Sequence, residues 1–285
     1  MTETPVKLMR QSTIGSGDVC DLRLGHEFWF HPEVRKGSQE RAMGTAYHAI
    51  LEAEATMVMT GETYDREEVA LRAFQAELAD APSGFIWRDD ETGNLETALE
   101  ITLAGAEYYI DEHFEWADTT KYQILAVEQA FTFPWINGWD AHGTADLIVM
   151  GLEDGWIRIA DHKFSRLKWR KGRENARQTP QPSWYLKWIK HHWQTNSDDP
   201  HRMERQFLFK MDVSTWGTGL DFRRYSPSPT PYEMEMTETR AKLYARMVDQ
   251  GPEGIYTPNT HVHLCDHRWC DHWDVCDYGE RFNDQ

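Results

Sequence analysis

The sequence predicts an α/β fold, a single domain in which a helical insertion precedes an α/β core. Two observations predict it. Residues 42 to about 114 are rich in Glu, Ala and Leu with apolar positions at helical spacing. At Tyr122 the texture changes to strand-like runs separated by turn signals, followed by a helix, a strand and a helix. With 285 residues, 40% hydrophobic and 13% aromatic, the chain has material for a sizeable core and not the composition of a disordered one.

The elements follow in order. From Ala42 to about Met59, the residues Met43, Ala46, Tyr47, Ile50, Leu51 and Val58 fall near helical spacing. Residues 66–80 and 93–114 also favour helix, with Pro82, Ser83 and Gly84 breaking the chain between them. YQILAVEQAFTFPW, starting at Tyr122, reads as a strand, and Asn137-Gly138 is a hairpin signal. WDAHGTADLIVM is the return strand, Glu153-Asp154-Gly155 a second turn, and WIRIADHKF a third strand. A helix runs from Gln178 to about Trp193, its firm start near Pro182 because proline suits a first helical turn. RQFLFKMDV, residues 205–213, is a fourth strand. Thr237 to Gln250 is a last helix, with Thr237 as its cap and Gly251 as its stop.

Charge narrows the function. Lys and Arg total 30 against 47 Asp and Glu, a net charge of -17, which argues against indiscriminate binding of nucleic acid. A local basic track remains: Lys163, Arg166, Lys168, Arg170, Lys171, Arg173 and Arg177, interrupted only by Glu174, in a pattern suited to phosphates. No apolar run is long enough to span a membrane, and the N-terminus has no apolar signal region, so a soluble, cytoplasmic protein is expected.

The chemistry concentrates just before that track. Side chains alternate along a strand, so Asp161 and Lys163 share a face and His162 takes the other. Asp146, on the preceding strand, comes beside Asp161 across the turn. Adjacent carboxylates repel unless something positive lies between them. A divalent cation of the Mg2+ or Mn2+ kind, which prefers oxygen ligands, meets that need. Lys163 would then stand beside an attacked phosphate or an attacking water. His48 opens a helix with Glu52 one turn later; taken alone, such a histidine is a surface or packed residue.

GTAYH at 44–48, GTADLIV at 143–149, IADHK at 159–163 and Gln181-x-x-x-Tyr185 occur in that order. Together they resemble the RecB-like branch of the PD-(D/E)xK nuclease superfamily. The resemblance implies a restriction-endonuclease-like mixed sheet flanked by helices. It implies that His48, Asp146 and Asp161 bind the metal, with the backbone carbonyl of His162, and that Lys163 is the catalytic lysine. Gln181 and Tyr185, on one helix face, would contact DNA or steady the site. The acid before Lys163 is Asp where Glu is commoner. Glu128, on the strand before Asp146, and Glu52 are candidate extra ligands, although a strand-edge or helix-face glutamate is usually just solvated.

Cys265, Cys270 and Cys276 cluster near one end of the chain and Cys20 lies near the other, a layout that suits a four-thiolate cluster better than disulfides. It resembles the iron-sulfur branch of the same superfamily, which includes the CRISPR-adaptation exonucleases and AddB-type nucleases. The spacing C-x4-C-x5-C differs from the usual C-x2-C start. A [4Fe-4S] cluster is expected; zinc is the alternative, since His261, His263, His267 and His272 crowd the same stretch.

The resulting plan is one nuclease domain over 1–285, with a helical region at 42–120, a catalytic core at 121–250, and a metal-cluster region made of 1–25 plus 255–285. The expected activity is a Mg2+- or Mn2+-dependent DNA exonuclease acting at ends or on single strands, in recombination, repair or CRISPR adaptation. Trp169, Trp184, Trp188 and Trp193 could stack on bases. Three alternatives remain at this stage. They are a DNA-binding module with a decayed nuclease fold, a subunit that needs a helicase or integrase partner, and a structure-specific endonuclease.

Overall fold

A computed structural model describes residues 7–34, 36–88, 90–136, 138–166, 176, 179–259 and 270–277. In chain order its elements are β1 (Lys7–Met9), α1 (Gln11–Val19), α2 (Asp21–Gly25), β2 (Gly37–Ser38), α3 (Gln39–Thr60), α4 (Arg66–Ala79), β3 (Phe85–Ile86), α5 (Leu95–His113), β4 (Tyr122–Ile136), β5 (Trp139–Gly151), β6 (Ile157–Ser165), α6 (Pro180–Asn196), β7 (Phe207–Thr215), β8 (Asp221–Tyr225) and α7 (Pro231–Asp249). A π-helical turn, His26–Phe30, extends α2.

The centre is a mixed sheet in the order β1-β5-β6-β7-β8, with β4 also paired to β5. The pairs β4–β5, β5–β6 and β7–β8 are antiparallel, whereas β1–β5 and β6–β7 are parallel. The parallel β6–β7 pair needs a crossover, and α6 lies on that connection. Strand alternation divides the core in two. Leu147, Val149 and Ala160 pack with α3, α4 and α5, while Ile148, Ile159, Met211 and Val213 pack with α6 and α7. The sheet is therefore buried on both faces by helices, the restriction-endonuclease-like arrangement the motifs implied.

Local chemistry explains the helix ends. Ser38, Asp65 and Asn94 each accept a backbone N–H at the start of α3, α4 and α5. Gly61, at φ 78°, ends α3 in the left-handed region. The sequence expectation for α7 is corrected. Thr230, not Thr237, caps it, in a reciprocal capping box with Glu233 and with Pro231 in the first turn. Thr237 lies inside the helix, and its hydroxyl donates to the Glu233 carbonyl at 3.0 Å. The helix is also longer than periodicity suggested, because its first turn, PYEMEM, leaves Tyr232 and Met236 exposed. Similarly, α6 starts at Pro180 rather than Pro182, and β7 runs two residues beyond Val213. Sequence reasoning missed β8 and the helices α1 and α2. Asn137 of the expected hairpin lies outside the described residues; Gly138 follows at φ 77°.

Among the described residues no helix is long and apolar enough to cross a membrane.

Two glycines give opposite expectations. A methyl group at Gly105 would collide with the Phe164 ring, which is itself stacked on Tyr47 at 4.6 Å. Gly44, inside α3, has open space around its missing Cβ. Gly105→Leu should destabilise the protein by about 1–3 kcal/mol by overpacking. Gly44→Ala should stabilise it by about 0.5–1 kcal/mol by reducing unfolded-chain freedom. Chemical denaturation of both variants measures this directly.

Candidate active site

The site forms where the sheet forks. β5 and β6 pair only from Leu147↔Ala160 to Met150↔Ile157. Beyond that rung the same edge of β5 turns to β1, with Lys7↔Trp139 to Met9↔Ala141 in register. Asp146 and Asp161 are the next residues in register, so they stand at the mouth of the fork. The backbone N–H of His162 donates to the Asp146 carboxylate at 2.7 Å.

Two elements bring further groups to Asp146. α3 supplies His48, whose Nδ1 lies 3.3 Å from Asp146 Oδ2. β4 supplies Glu128, between the rungs Val127↔Leu147 and Gln129↔Ala145. Glu128 has φ 46°, the only non-glycine residue with positive φ among those described. That left-handed backbone is uncommon for glutamate and marks local strain of the kind found at functional sites. Among the described residues, ligand atoms of His48, Glu128 and Asp146 lie within 4.8 Å of one another. Together with Glu52 and His162 they line a narrow cavity of about 10 Å³, room for about one water or ion.

Asp161 lies beside this group and is 1% exposed. Gln181 Nε2 donates to its Oδ1, and Lys163 Nζ sits 2.8 Å from its Oδ2. That ammonium compensates part of the buried Asp161 charge. Tyr185, one turn after Gln181, is buried edge-on against Phe131 at 5.9 Å and Phe209 at 6.0 Å.

Burial sets the protonation states. It raises Asp146 and Asp161 to about 6 each, against the pull of Lys163. It raises Glu128 to about 8, with Asp146, Glu52 and Asp161 adding repulsion. Burial lowers His48 to about 4, and Lys163 reinforces the effect. Burial also lowers His162 to about 3, against the Asp212 carboxylate. Both imidazoles are therefore neutral near pH 7 and offer lone pairs. Burial opposes the charge on Lys163, but Asp161 and Asp146 outweigh it and raise its pKa. The pocket gathers several acidic oxygens and two neutral imidazoles around one lysine. This donor set suits a hard or borderline divalent cation.

His48, Asp146, Asp161, His162, Lys163 and Gln181 thus come together, with Tyr185 supporting Gln181 from behind. Glu128, a lesser candidate ligand in the sequence, is half-buried in the pocket rather than solvated. Its place opposite Asp146 was readable from strand register, but its backbone twist was not. Trp184 and Trp188 are also corrected, being core residues at 1% and 8% exposure, and Trp193 packs against the same core. Trp169 lies outside the described residues, as do Lys168, Arg170, Lys171, Arg173 and Arg177. Arg166 is exposed, 3.6 Å from Asp90 and over the Trp216 ring.

Among the described residues Cys20, Cys270 and Cys276 are free thiols; Cys265, His261, His263 and His267 lie outside the described residues. Burial raises the Cys270 thiol, and Cys276 and Cys20 lie near enough to add to the effect. The chain ends are tied by Leu22 N–H to the Thr257 carbonyl at 3.2 Å, by the Lys36–Asp274 ion pair, and by His26 stacked on His272 at 5.2 Å.

A family model for the PD-(D/E)XK nuclease superfamily matches residues 21–277, and the chain belongs to that superfamily. Its fold is a nuclease fold. Among solved structures it is similar to a provisionally named exonuclease from Eubacterium rectale, with a TM-score of 0.49 at 12% identity over 91% of this chain and 87% of that one. It is also similar to the protein SSO0001, with a TM-score of 0.38 at 12% identity over 94% and 96% of the two chains. No curated protein matches.

The raised carboxylates fix a pH dependence. A carboxyl group whose pKa rises on folding holds its proton more tightly when folded. Its stabilising share is complete below its unfolded pKa, about 4. That share is lost as pH rises through the folded values of about 6 for Asp146 and Asp161 and about 8 for Glu128. The melting temperature of the metal-free protein should therefore fall between pH 5 and pH 8. Glu128→Gln should remove the upper part of that fall and weaken the stabilisation by Mn2+. Thermal scans with and without Mn2+ read both effects.

Proposed function

We propose that the chain is a divalent-metal-dependent deoxyribonuclease of the RecB-like kind, acting as an exonuclease at DNA ends or on single strands. The observation that carries this reading is the convergence of His48, Glu128 and Asp146 within 4.8 Å, beside the Asp161–Lys163 pair. His48, Glu128 and Asp146 would hold the cation, with Asp161 and the His162 carbonyl as further ligands. A bound divalent cation neutralises these carboxylates and polarises the phosphate it touches.

The chain's own groups do the rest. Lys163 is protonated at neutral pH and stabilises the negative charge that grows on phosphorus oxygens during attack. Gln181 orients Asp161, and Tyr185 holds the helix face that carries Gln181. Arg166, at the exit of β6, begins the track for the DNA backbone. The choice of exonuclease over endonuclease rests on the resemblance to the RecB-like branch.

The same reading includes a [4Fe-4S] cluster on Cys20, Cys265, Cys270 and Cys276, with a structural role in joining the chain ends; zinc is the competing metal. The layout of three clustered cysteines and one distant one in the sequence supports a shared thiolate site.

Asp161→Ala and Lys163→Ala should each lower Mg2+- or Mn2+-dependent DNA degradation by about 100-fold or more. Undiminished degradation in both would remove these residues from the mechanism. Circular single-stranded DNA should resist the enzyme, and its rapid loss would reassign the activity to an endonuclease. Anaerobically purified protein should be brown with broad absorption in the blue. A colourless, zinc-containing protein would refute the iron assignment.

A further inference from the structure

Behind His162 lies a chain of buried polar groups that the nuclease motifs do not include. Asp212 of β7 is 1% exposed and pairs in register with Arg224 of β8. Arg224 donates to both of its carboxylate oxygens at 2.6 Å. From α5, the Tyr109 hydroxyl donates to Asp212 Oδ2 at 2.5 Å. His162 Nε2 lies 3.2 Å from the same hydroxyl oxygen.

The direction of each hydrogen bond follows from the first. A carboxylate paired with a guanidinium accepts only, so the Tyr109 proton points at Asp212. Burial and the Asp212 charge hold that proton firmly on Tyr109. The tyrosine oxygen is left as an acceptor, and His162 must present a proton to it from Nε2. In a neutral imidazole the other nitrogen is then bare. That nitrogen, Nδ1, lies 3.7 Å from Asp146 Oδ2, the oxygen that accepts the His162 backbone N–H at 2.7 Å.

We propose that Tyr109, Asp212 and Arg224 form a positioning relay that fixes the tautomer and orientation of His162, and thereby the peptide whose N–H holds Asp146 and whose carbonyl would ligate the cation. This rests on reading the pocket as a divalent-cation site. Hydrogen bonds that fix the residues around a metal are a general device, and breaking one typically weakens metal binding 10–100-fold.

The first test needs no substitution. Nitrogen-15 NMR of the metal-free protein, with His162 signals assigned by their loss in His162→Gln, should show Nε2 protonated and Nδ1 bare. The opposite tautomer would overturn the relay. The second is calorimetric titration with Mn2+ alone. Tyr109→Phe and Asp212→Asn should each weaken Mn2+ binding about tenfold, with thermal melting of the metal-free variants confirming that they fold. Wild-type affinity in both variants would overturn the relay and leave the nuclease reading intact. A wild-type protein that binds no Mn2+ would overturn both.

Discussion

Everything around the site answers to one constraint, the burial of like charges at a fork in a sheet. β5 has one long partner, β4, and two short ones, β6 and β1, on its other edge. Where β6 and β1 separate, a gap opens that backbone hydrogen bonds do not fill. Asp146, Asp161 and Glu128 point into it, with Lys163 as the basic side chain beside them. Carboxylates brought together out of water repel one another and lose hydration, which is why all three are held above their ordinary range. Folding without a metal leaves this repulsion only partly compensated, by Lys163, so the fold stores at the fork a demand for further positive charge.

The surrounding packing keeps that demand from being relieved by movement. On the α3–α5 face, Tyr47 stacks on Phe164 at 4.6 Å and Phe164 on Trp216 at 6.4 Å. The Tyr47 hydroxyl is tied to Ser214 at 2.8 Å. Gly105 lets α5 close onto this ladder. On the α6 face, Gly143 admits the rings of Phe131 and Tyr185, where any Cβ would collide with them. The strands that carry the acids are thus clamped between aromatic layers. A rigid frame is what a site of fixed geometry requires, since a displacement of one ångström degrades catalysis.

Much of this was legible in the sequence, and the rest was hidden for identifiable reasons. Strand alternation placed Asp161 and Lys163 on one face, and the short turn after β5 placed Asp146 beside Asp161, because both depend only on period two and hairpin geometry. His48 and Gln181 were legible through motif order, not through local pattern. Glu128 stood below the motif residues because its place depends on a left-handed backbone within a strand, which propensity does not announce. The relay was invisible for another reason. Tyr109, Asp212 and Arg224 lie on three elements, and β8 itself, with its arginines and short length, gives a weak strand signal. The tryptophans of α6 misled in the opposite sense, since aromatic residues near a basic run read equally well as platforms or as core.

A net charge of -17 still has to be reconciled with a polyanionic substrate. At physiological ionic strength fields between exposed charges are screened over about 8 Å, so the distant acidic surface weighs less than the local field at the fork. Among the described residues the cations nearest the fork are Lys163, already turned toward Asp161, and Arg166, which shares its charge with Asp90 and Trp216. Metal-free, the fork presents ionisable acids to an approaching phosphate and repels it. Occupied by a divalent ion, the same oxygens become a positively biased seat. On the proposed reading, cation and DNA therefore bind with positive coupling, as linkage requires of two ligands that each relieve a charge the other would meet. The acidity that argues against indiscriminate nucleic-acid binding then becomes a source of selectivity: phosphate is tolerated at the fork, where a metal would offset it, and along the basic track, and discouraged on the acidic remainder of the surface.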